Sequence, residues 1–201
     1  MHFKYKYIPA SILFLFLIFF SARPGFVSEA DTIQIAELKE SFQLTVPVSK
    51  LTLMIPKSGL VLKKNSQGGS TDSRRYFYFN GQHPSLIEED HSFIISGWFE
   101  PEEEFSGIKP FWKGETAAWE KKGLPEPKNV SFEKIGGWEV VLYDTDLPPQ
   151  YTGNNSHIRT ELAQAGTWID MHLSITSRRP KNELRATLLE FLKTIEVTEK
   201  R

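Results

Sequence analysis

The chain has 201 residues, a formal net charge of −1, no cysteine, and a hydrophobic fraction of 40%. This length suits one domain, and the core of such a domain is large enough to be stable without disulfide bonds. The near-neutral charge argues against a nucleic-acid-binding protein, which needs a basic face to neutralise phosphates.

The first 30 residues predict a secretory signal peptide. Two lysines precede an apolar run at residues 11–20, which is shorter than the roughly 20 residues of a membrane-spanning helix. Small residues favour cleavage after Ala30, with Ala22 as a second candidate and an uncleaved membrane anchor as the alternative. A chain without cysteine cannot carry a lipoprotein signal. We therefore predict an exported protein, periplasmic or secreted, in which residues 31–201 form a single domain.

The predicted mature chain is mildly acidic. Removal of residues 1–30 leaves 21 basic and 24 acidic residues, a net charge of −3 with histidine neutral. This charge gives no reason to expect binding to nucleic acid or to an anionic membrane, and no membrane span is expected after cleavage.

The first part of the mature chain predicts mainly strands. Residues 31–40 fit a short helix or an ordered arm. Alternating apolar residues at 42–48 and 51–55 predict a hairpin, and residues 60–62 a short return strand. Pro47 cannot donate to a ladder, which favours an edge position for the first strand.

The middle of the chain adds a central strand and a helix. Residues 91–99 are apolar on both sides, which is typical of a strand covered on both faces, and Gly97 indicates a close approach of another group. The acidic cluster at 100–104 lacks the ligand spacing of a calcium loop, so a solvated loop or helix start is the simpler interpretation. A short helix is predicted at 114–122, ended by Gly123.

A second hairpin follows this helix. Strands are predicted at 130–135 and 138–144 around the Gly-Gly pair at 136–137, a dipeptide suited to a two-residue turn. This register places Lys134 opposite Glu139. A long loop rich in turn residues, 147–155, leads to the last part of the chain.

The C-terminal part shows the clearest pattern. Strands at 155–164 and 167–176 flank an Ala-Gly turn, and the second of them alternates apolar and polar residues. After Pro180 the period changes to that of an amphipathic helix whose apolar stripe reaches Ile195. We expect this helix to cover the side of the last strand that carries Ile169 and Leu173.

The register of the last two strands predicts a polar sheet face. Pairing Leu162 with Ile169 matches the apolar sides of both strands, and a slip by one residue would break that match. The opposite face then carries six candidate binding residues: His157, Arg159, Glu161, Trp168, Asp170 and His172.

Three interpretations of this face are open. It is a solvated or ion-paired surface, the floor of a binding cleft, or a site where His172, Asp170 and Glu161 hold a metal or perform acid–base chemistry. The sequence contains no Gly-x-Ser-x-Gly or His-Glu-x-x-His motif and no thiol. It therefore predicts no catalytic residue, no metal ligand and no cofactor. A separate hypothesis is a partner-docking surface formed by Trp112 and the loop 145–155.

Several segments together resemble PsbP-related proteins. They are Gly166-Thr-Trp-Ile-Asp-Met-His-Leu-Ser174, Pro180 with the helix ending at Phe191-Leu-Lys-Thr-Ile-Glu-Val197, and Leu51-Thr-Leu-Met-Ile-Pro56. The resemblance covers most of residues 42–197. It implies an α+β fold, an α/β/α sandwich around a mainly antiparallel sheet, shared with Ran-binding import factors and small exported bacterial proteins. It also implies an accessory or binding protein rather than an enzyme, and nothing in this chain matches the metal sites of photosynthetic members.

These observations predict an exported, non-enzymatic accessory or binding module. Its partner would be another envelope protein or a small ligand, without nucleic acid. The alternative is a small metal-dependent or acid–base hydrolase that uses Glu161, Asp170 and His172.

Overall fold

Two antiparallel sheets and two helices make up the described part of the chain, so the predicted α+β class is confirmed. The computed structural model describes residues 32–57, 59–62, 75–86 and 91–200; the predicted signal peptide lies outside them. The helices are α1 (Ile108–Lys121) and α2 (Lys181–Lys193). The strands are β1 (Gln34–Glu37), β2 (Ser41–Thr45), β3 (Leu51–Pro56), β4 (Leu60–Leu62), β5 (Tyr76–Gly81), β6 (Ser92–Pro101), β7 (Lys128–Ile135), β8 (Trp138–Thr145), β9 (Asn154–Gln164), β10 (Thr167–Ser177) and β11 (Glu196–Glu199).

The larger sheet has seven strands in the order β4-β5-β6-β10-β9-β8-β7, and the smaller sheet has the order β1-β2-β3-β11. Apolar residues on one face of the larger sheet pack against the smaller sheet and α2 to form the main core. On the other face, α1 packs over β8 in a second, smaller core. The two helices therefore lie on opposite sides of the larger sheet.

The predicted register of the last hairpin is confirmed at every position. Leu162 pairs with Ile169, and the polar positions pair as the alternation requires. The second hairpin is also confirmed, since Lys134 pairs with Glu139 across its turn. Helix α2 covers the side of β10 that carries Ile169 and Leu173, as expected. Short-range periodicity was sufficient here because each element has one apolar side.

Several N-terminal predictions are wrong. Of the two interpretations of residues 31–40, only the short helix is excluded, because residues 34–37 form a strand. This strand covers the outer side of β2, which is therefore not at an edge. Pro47 lies in the turn after β2, so it interrupts no ladder. Strand β4 does not return along β3 but pairs with β5 in the other sheet. The errors about β2 and β4 concern long-range pairing, which alternation along one strand does not specify.

Two boundaries also differ. Helix α1 begins at Ile108, six residues before the predicted start, because Phe111 and Trp112 belong to its first turns. After α2 the chain continues into β11, which pairs with β3 and completes the smaller sheet. Four residues are too few for a periodicity signal, so this strand was not predicted.

Gly97 confirms the predicted close approach in β6. A Cβ atom there would lie 2.4 Å from the backbone oxygen of Asp170 and 2.6 Å from Cζ of Phe77. We expect Gly97→Ala to lower the free energy of unfolding by about 1–3 kcal/mol, since added volume in a packed core forces shifts. Urea denaturation measures this loss. Gly114→Ala is the control, because nothing lies within 4 Å of the new Cβ and alanine favours a helix by about 1 kcal/mol. An equal effect of the two substitutions would contradict the close approach.

Candidate functional site

The six candidate residues lie together on the α1 side of β9 and β10, as their register predicted. The interpretation as a solvated face is wrong, because the exposed fraction is 5% or less for five of the six and His172 is only partly exposed. These five are His157, Arg159, Glu161, Trp168 and Asp170. The face is therefore an interior layer of the protein.

Helix α1 and the segment before it close this layer. The ring of Phe105 stacks on Trp168 at 5.4 Å between centroids, and Phe111 meets the same indole edge-on at 5.8 Å. The guanidinium carbon of Arg159 lies 5.2 Å from the centre of the Phe111 ring and 5.7 Å from that of Trp98. A guanidinium with aromatic rings on its faces is stabilised by cation–π attraction, more so when water is absent.

The charged members form a paired cluster. Arg159 donates a hydrogen bond from Nη2 to Oδ2 of Asp170, and its Nε lies 3.7 Å from Oε1 of Glu161. The indole Nε1 of Trp168 donates to Oε2 of Glu161. The ion-paired interpretation of the face is therefore confirmed. Such an enclosed pair contributes little net stability, but loss of one partner leaves an uncompensated charge.

The acids of this cluster are shifted toward their neutral forms. Burial, reinforced by the charge of Asp170, raises the pKa of Glu161 well above its ordinary value. Burial also raises the pKa of Asp170, although Arg159 opposes it. Glu115 of α1 faces the cluster, and burial raises its pKa to about 7 despite the opposing charge of Arg159. We infer that Asp170 keeps the charge that balances Arg159, and that Glu161 carries a proton.

The two histidines form a separate neutral pair. Nδ1 of His157 lies 3.0 Å from Nε2 of His172. Nε2 of His157 lies 2.9 Å from Oγ1 of Thr145. Tyr143 stacks on His157 with a centroid distance of 4.7 Å. Burial lowers the pKa of His157 to about 3 and that of His172 well below its ordinary value. Both imidazoles are therefore uncharged at neutral pH.

The suggested catalytic trio is not assembled as a working unit. His172 bonds to His157, Asp170 bonds to Arg159, and Glu161 bonds to Trp168. Oε1 of Glu161 and Oδ1 of Asp170 are buried and accept no hydrogen bond from any other described group, so a proton on one carboxyl group can be shared only with the other. Across the described ranges, no three His, Asp or Glu side chains are placed to hold a metal ion. Chemically, the cluster can share a proton between two carboxyl groups and fix the orientation of α1.

Two members of the layer were not identified as site residues from the sequence. Glu115 lies in the predicted helix 114–122, but no local pattern indicates what its side chain contacts. Tyr143 follows the alternation of β8, which assigns it to a face without naming its neighbours. Trp112, proposed as a docking residue, is buried against Trp119 and Tyr143, so it offers no surface to a partner. That part of the docking hypothesis is wrong.

An accessible groove of about 450 Å³ lies beside the buried layer, where the start of α1 meets β7 and β8. Its walls combine the first turn of the helix with the exposed ring of Phe132 and with charged side chains of both strands. The backbone N–H of Ile108 donates to Oε2 of Glu139 at 3.0 Å, which fixes the helix start to the sheet. The lining residues are Gly107, Ile108, Lys109, Pro110, Phe132, Glu133, Lys134 and Glu139.

Comparisons with known proteins give a likeness to solved structures but none in sequence. No family model matches the chain, and no curated protein matches it in sequence. Among solved structures, the solution structure of the cyanobacterial PsbP protein CyanoP from Synechocystis sp. PCC 6803 has a TM-score of 0.44 and 9% sequence identity. The match covers 89% of this chain and 99% of that one. Membership of the PsbP-related family stays a prediction.

Neither helix in the described ranges has the length and apolar character needed to cross a bilayer.

Proposed function

We propose that this protein is an exported, non-enzymatic accessory module that binds a partner protein or a small ligand. The observation that carries the proposal is the closure of the polar layer by α1. Its acids and its arginine are paired with one another, with Arg159 and Trp168 against Phe105 and Phe111, and its histidines are paired with each other. The acids and the arginine are buried, whereas the groove beside them is accessible.

In this proposal the six candidate residues act on binding through α1. The rings of Phe105 and Phe111 rest on Trp168 and Arg159, so the buried layer sets the position of the helix start. That helix start forms one wall of the groove. A rigid, paired layer beneath a binding wall keeps the wall in one orientation, which lowers the ordering cost of binding. Direct contact of the six residues with a ligand stays a prediction that requires movement of α1.

A pull-down from the envelope fraction of the source cells tests the proposal. Residues 31–201 should retain a specific partner, whereas the same material after heat unfolding should not. Failure to retain any protein or small molecule above that background would contradict the binding function.

A metal titration tests the hydrolase alternative. We expect Zn²⁺, Mn²⁺ and Ca²⁺ to leave the thermal midpoint unchanged, because the buried ligands are paired and the imidazoles bond to each other. A metal-specific stabilisation that disappears in His172→Ala would overturn the non-enzymatic assignment. His83→Ala is a matched control, since this buried histidine packs on Phe93, away from the candidate layer.

A further inference from the structure

We propose that the outer edge of β7 binds an extended segment of a partner protein by strand addition. In this segment an acidic residue and an apolar residue, two positions apart, would face the α1 side of the larger sheet. The basic residue between them would face the opposite side of the sheet. This inference rests on the proposed binding function and names the surface and the chemistry of the partner.

The first argument is the position of β7. It is the last strand of the seven-stranded sheet and, in the described ranges, it pairs only with β8. The backbone groups on its outer side therefore remain available to another strand. The register of β7 on β8 shifts between Lys128 and Ser131, so β7 pairs regularly with β8 only from Ser131 to Ile135. Strand addition to such an edge uses backbone hydrogen bonds for affinity and side-chain pockets for specificity.

The second argument is exposed apolar surface on this strand. Val130 and Phe132 are 39% and 40% exposed, and they are two of the four exposed large hydrophobic residues in the described ranges. The ring of Phe132 borders the groove together with Ile108 and Pro110. An apolar side chain of an added strand would enter the groove beside Phe132, since strand residues of one parity face the same side.

The third argument is charge on the α1 side. Nζ of Lys109 lies 5.9 Å from the centre of the Phe132 ring, and no described carboxylate forms an ion pair with it. Lys134 is 78% exposed and is held loosely, with Nζ 3.5 Å from Oε1 of Glu139. The other oxygen of Glu139 already accepts from Ile108. Two cations thus flank the apolar groove, which favours an acidic neighbour of the apolar side chain.

The charge on the opposite side is negative. Glu133 pairs with Val140, which lies in the main core, whereas Phe132 pairs with Val141 of the α1 side. Glu133 is exposed and has no described cationic partner within ion-pair distance. A basic residue between the acidic and the apolar residue of the segment would face it, because adjacent strand residues point to opposite sides.

A second copy of this chain fits the surface less well. If the β7 strands of two copies paired so that both α1 helices lay on the same side of the joined sheet, residues opposite each other would point to the same face. Glu133 and Lys134 lie on opposite faces, so they could not neutralise each other in any such register. A partner with its own alternating charges satisfies both faces.

Fluorescence anisotropy with the full chain and blocked, labelled peptides tests the proposal. The probe is the heptapeptide Ser-Thr-Asp-Lys-Leu-Thr-Ser, and its matched control, Ser-Thr-Lys-Asp-Leu-Thr-Ser, has the same composition with the two charges exchanged. We expect the control to bind at least about tenfold more weakly, equivalent to about 1.4 kcal/mol. Methylation of a probe backbone nitrogen that faces β7 should abolish binding, whereas methylation of the next nitrogen along the probe should not, since alternate amides face the edge.

Two substitutions locate the binding surface. Phe132→Ser should abolish binding of the probe, whereas Leu38→Ser, at an equally exposed position just after β1, should not. Lys109→Glu should reverse the preference between the two peptides. Lys121→Glu makes the same charge change in α1 about 18 Å away along the helix and should leave the preference unchanged.

The outcomes separate this inference from the proposed function. Equal binding of the two peptides, no binding of either, or insensitivity to Phe132→Ser would overturn strand addition by a segment of this pattern. If the envelope pull-down still retained a specific partner, the binding function would stand without this surface. A concentration-dependent dimer that Phe132→Ser dissociates would assign the edge to a second copy and overturn the partner segment.

Discussion

Replacing Arg159 with methionine should lower the free energy of unfolding by about 3–5 kcal/mol at neutral pH, the usual effect of breaking a buried ion pair. The substitution removes the only described cation bonded to Asp170 and leaves that carboxylate beside Glu161 in an enclosed layer. It also removes the guanidinium that lies between Phe111 and Trp98. Urea denaturation followed by tryptophan fluorescence measures the change.

Two controls show whether this loss comes from the unpaired charge. The double variant Arg159→Met/Asp170→Leu should recover most of the stability, since replacing a whole buried pair by apolar groups is often neutral. Lys193→Met breaks an exposed pair with Glu190, at 2.7 Å, and should cost less than about 1 kcal/mol. A loss below about 1 kcal/mol in Arg159→Met would mean that the cluster does not support the fold.

Glu115→Gln should stabilise the protein at pH 8 by about 3 kcal/mol and leave it unchanged at pH 4. The pKa of Glu115 is raised from its ordinary 4.5 to about 7 by burial, with Asp170 adding to the effect and Arg159 opposing it. The folded state therefore favours the protonated acid. The difference between these two pKa values, at about 1.4 kcal/mol per pKa unit, gives the expected stabilisation.

The sign of this pH dependence follows from proton linkage. Between pH 4.5 and about 7 the unfolded chain releases the proton of Glu115 while the folded chain keeps it, so the folded chain loses stability as the pH rises. Below pH 4.5 both states hold the proton and the side chain contributes nothing. Glutamine cannot ionise, so the loss disappears in the variant.

Comparison of the two pH curves isolates Glu115 from the buried histidines. The pKa of His157 is lowered to about 3, so its contribution is present above pH 6.5 and is lost as the pH falls. The contribution of His157 is the same in both proteins, so it cancels when the two stability curves are subtracted. Glu120→Gln, at an exposed position of the same helix, should leave the curve unchanged. Equal stability of Glu115→Gln and the original protein at pH 8 would contradict the raised pKa of Glu115 on the inner side of α1.

Local patterns predicted the last hairpin and α2 correctly. The alternation in 167–176 assigned each side chain to a face, and only one register matched the apolar sides of both strands. The change to a helical period after Pro180 placed the apolar stripe that packs on Ile169 and Leu173. These elements could be predicted because each pairs with a neighbour in sequence or has one wide apolar side.

The site was predicted in its members but not in its environment. The register brought Arg159, Glu161 and Asp170 together, and the structure pairs them. Their burial depends on α1, which comes from a segment about 50 residues earlier, and no pattern in β9 or β10 indicates it. The pairing of β4 with β5 and of β11 with β3 depends likewise on contacts between distant segments.

The sequence by itself determined which residues share a face, because periods of two and 3.6 are properties of the backbone and appear in a single segment. Only the tertiary structure decided which faces meet water. Placement of α1 over His157, Arg159 and Asp170 converts a charged sheet face into a closed, proton-sharing layer, and it leaves the edge of β7 exposed. Packing between segments far apart in the chain sets the local dielectric, and with it the charge of each buried acid and histidine.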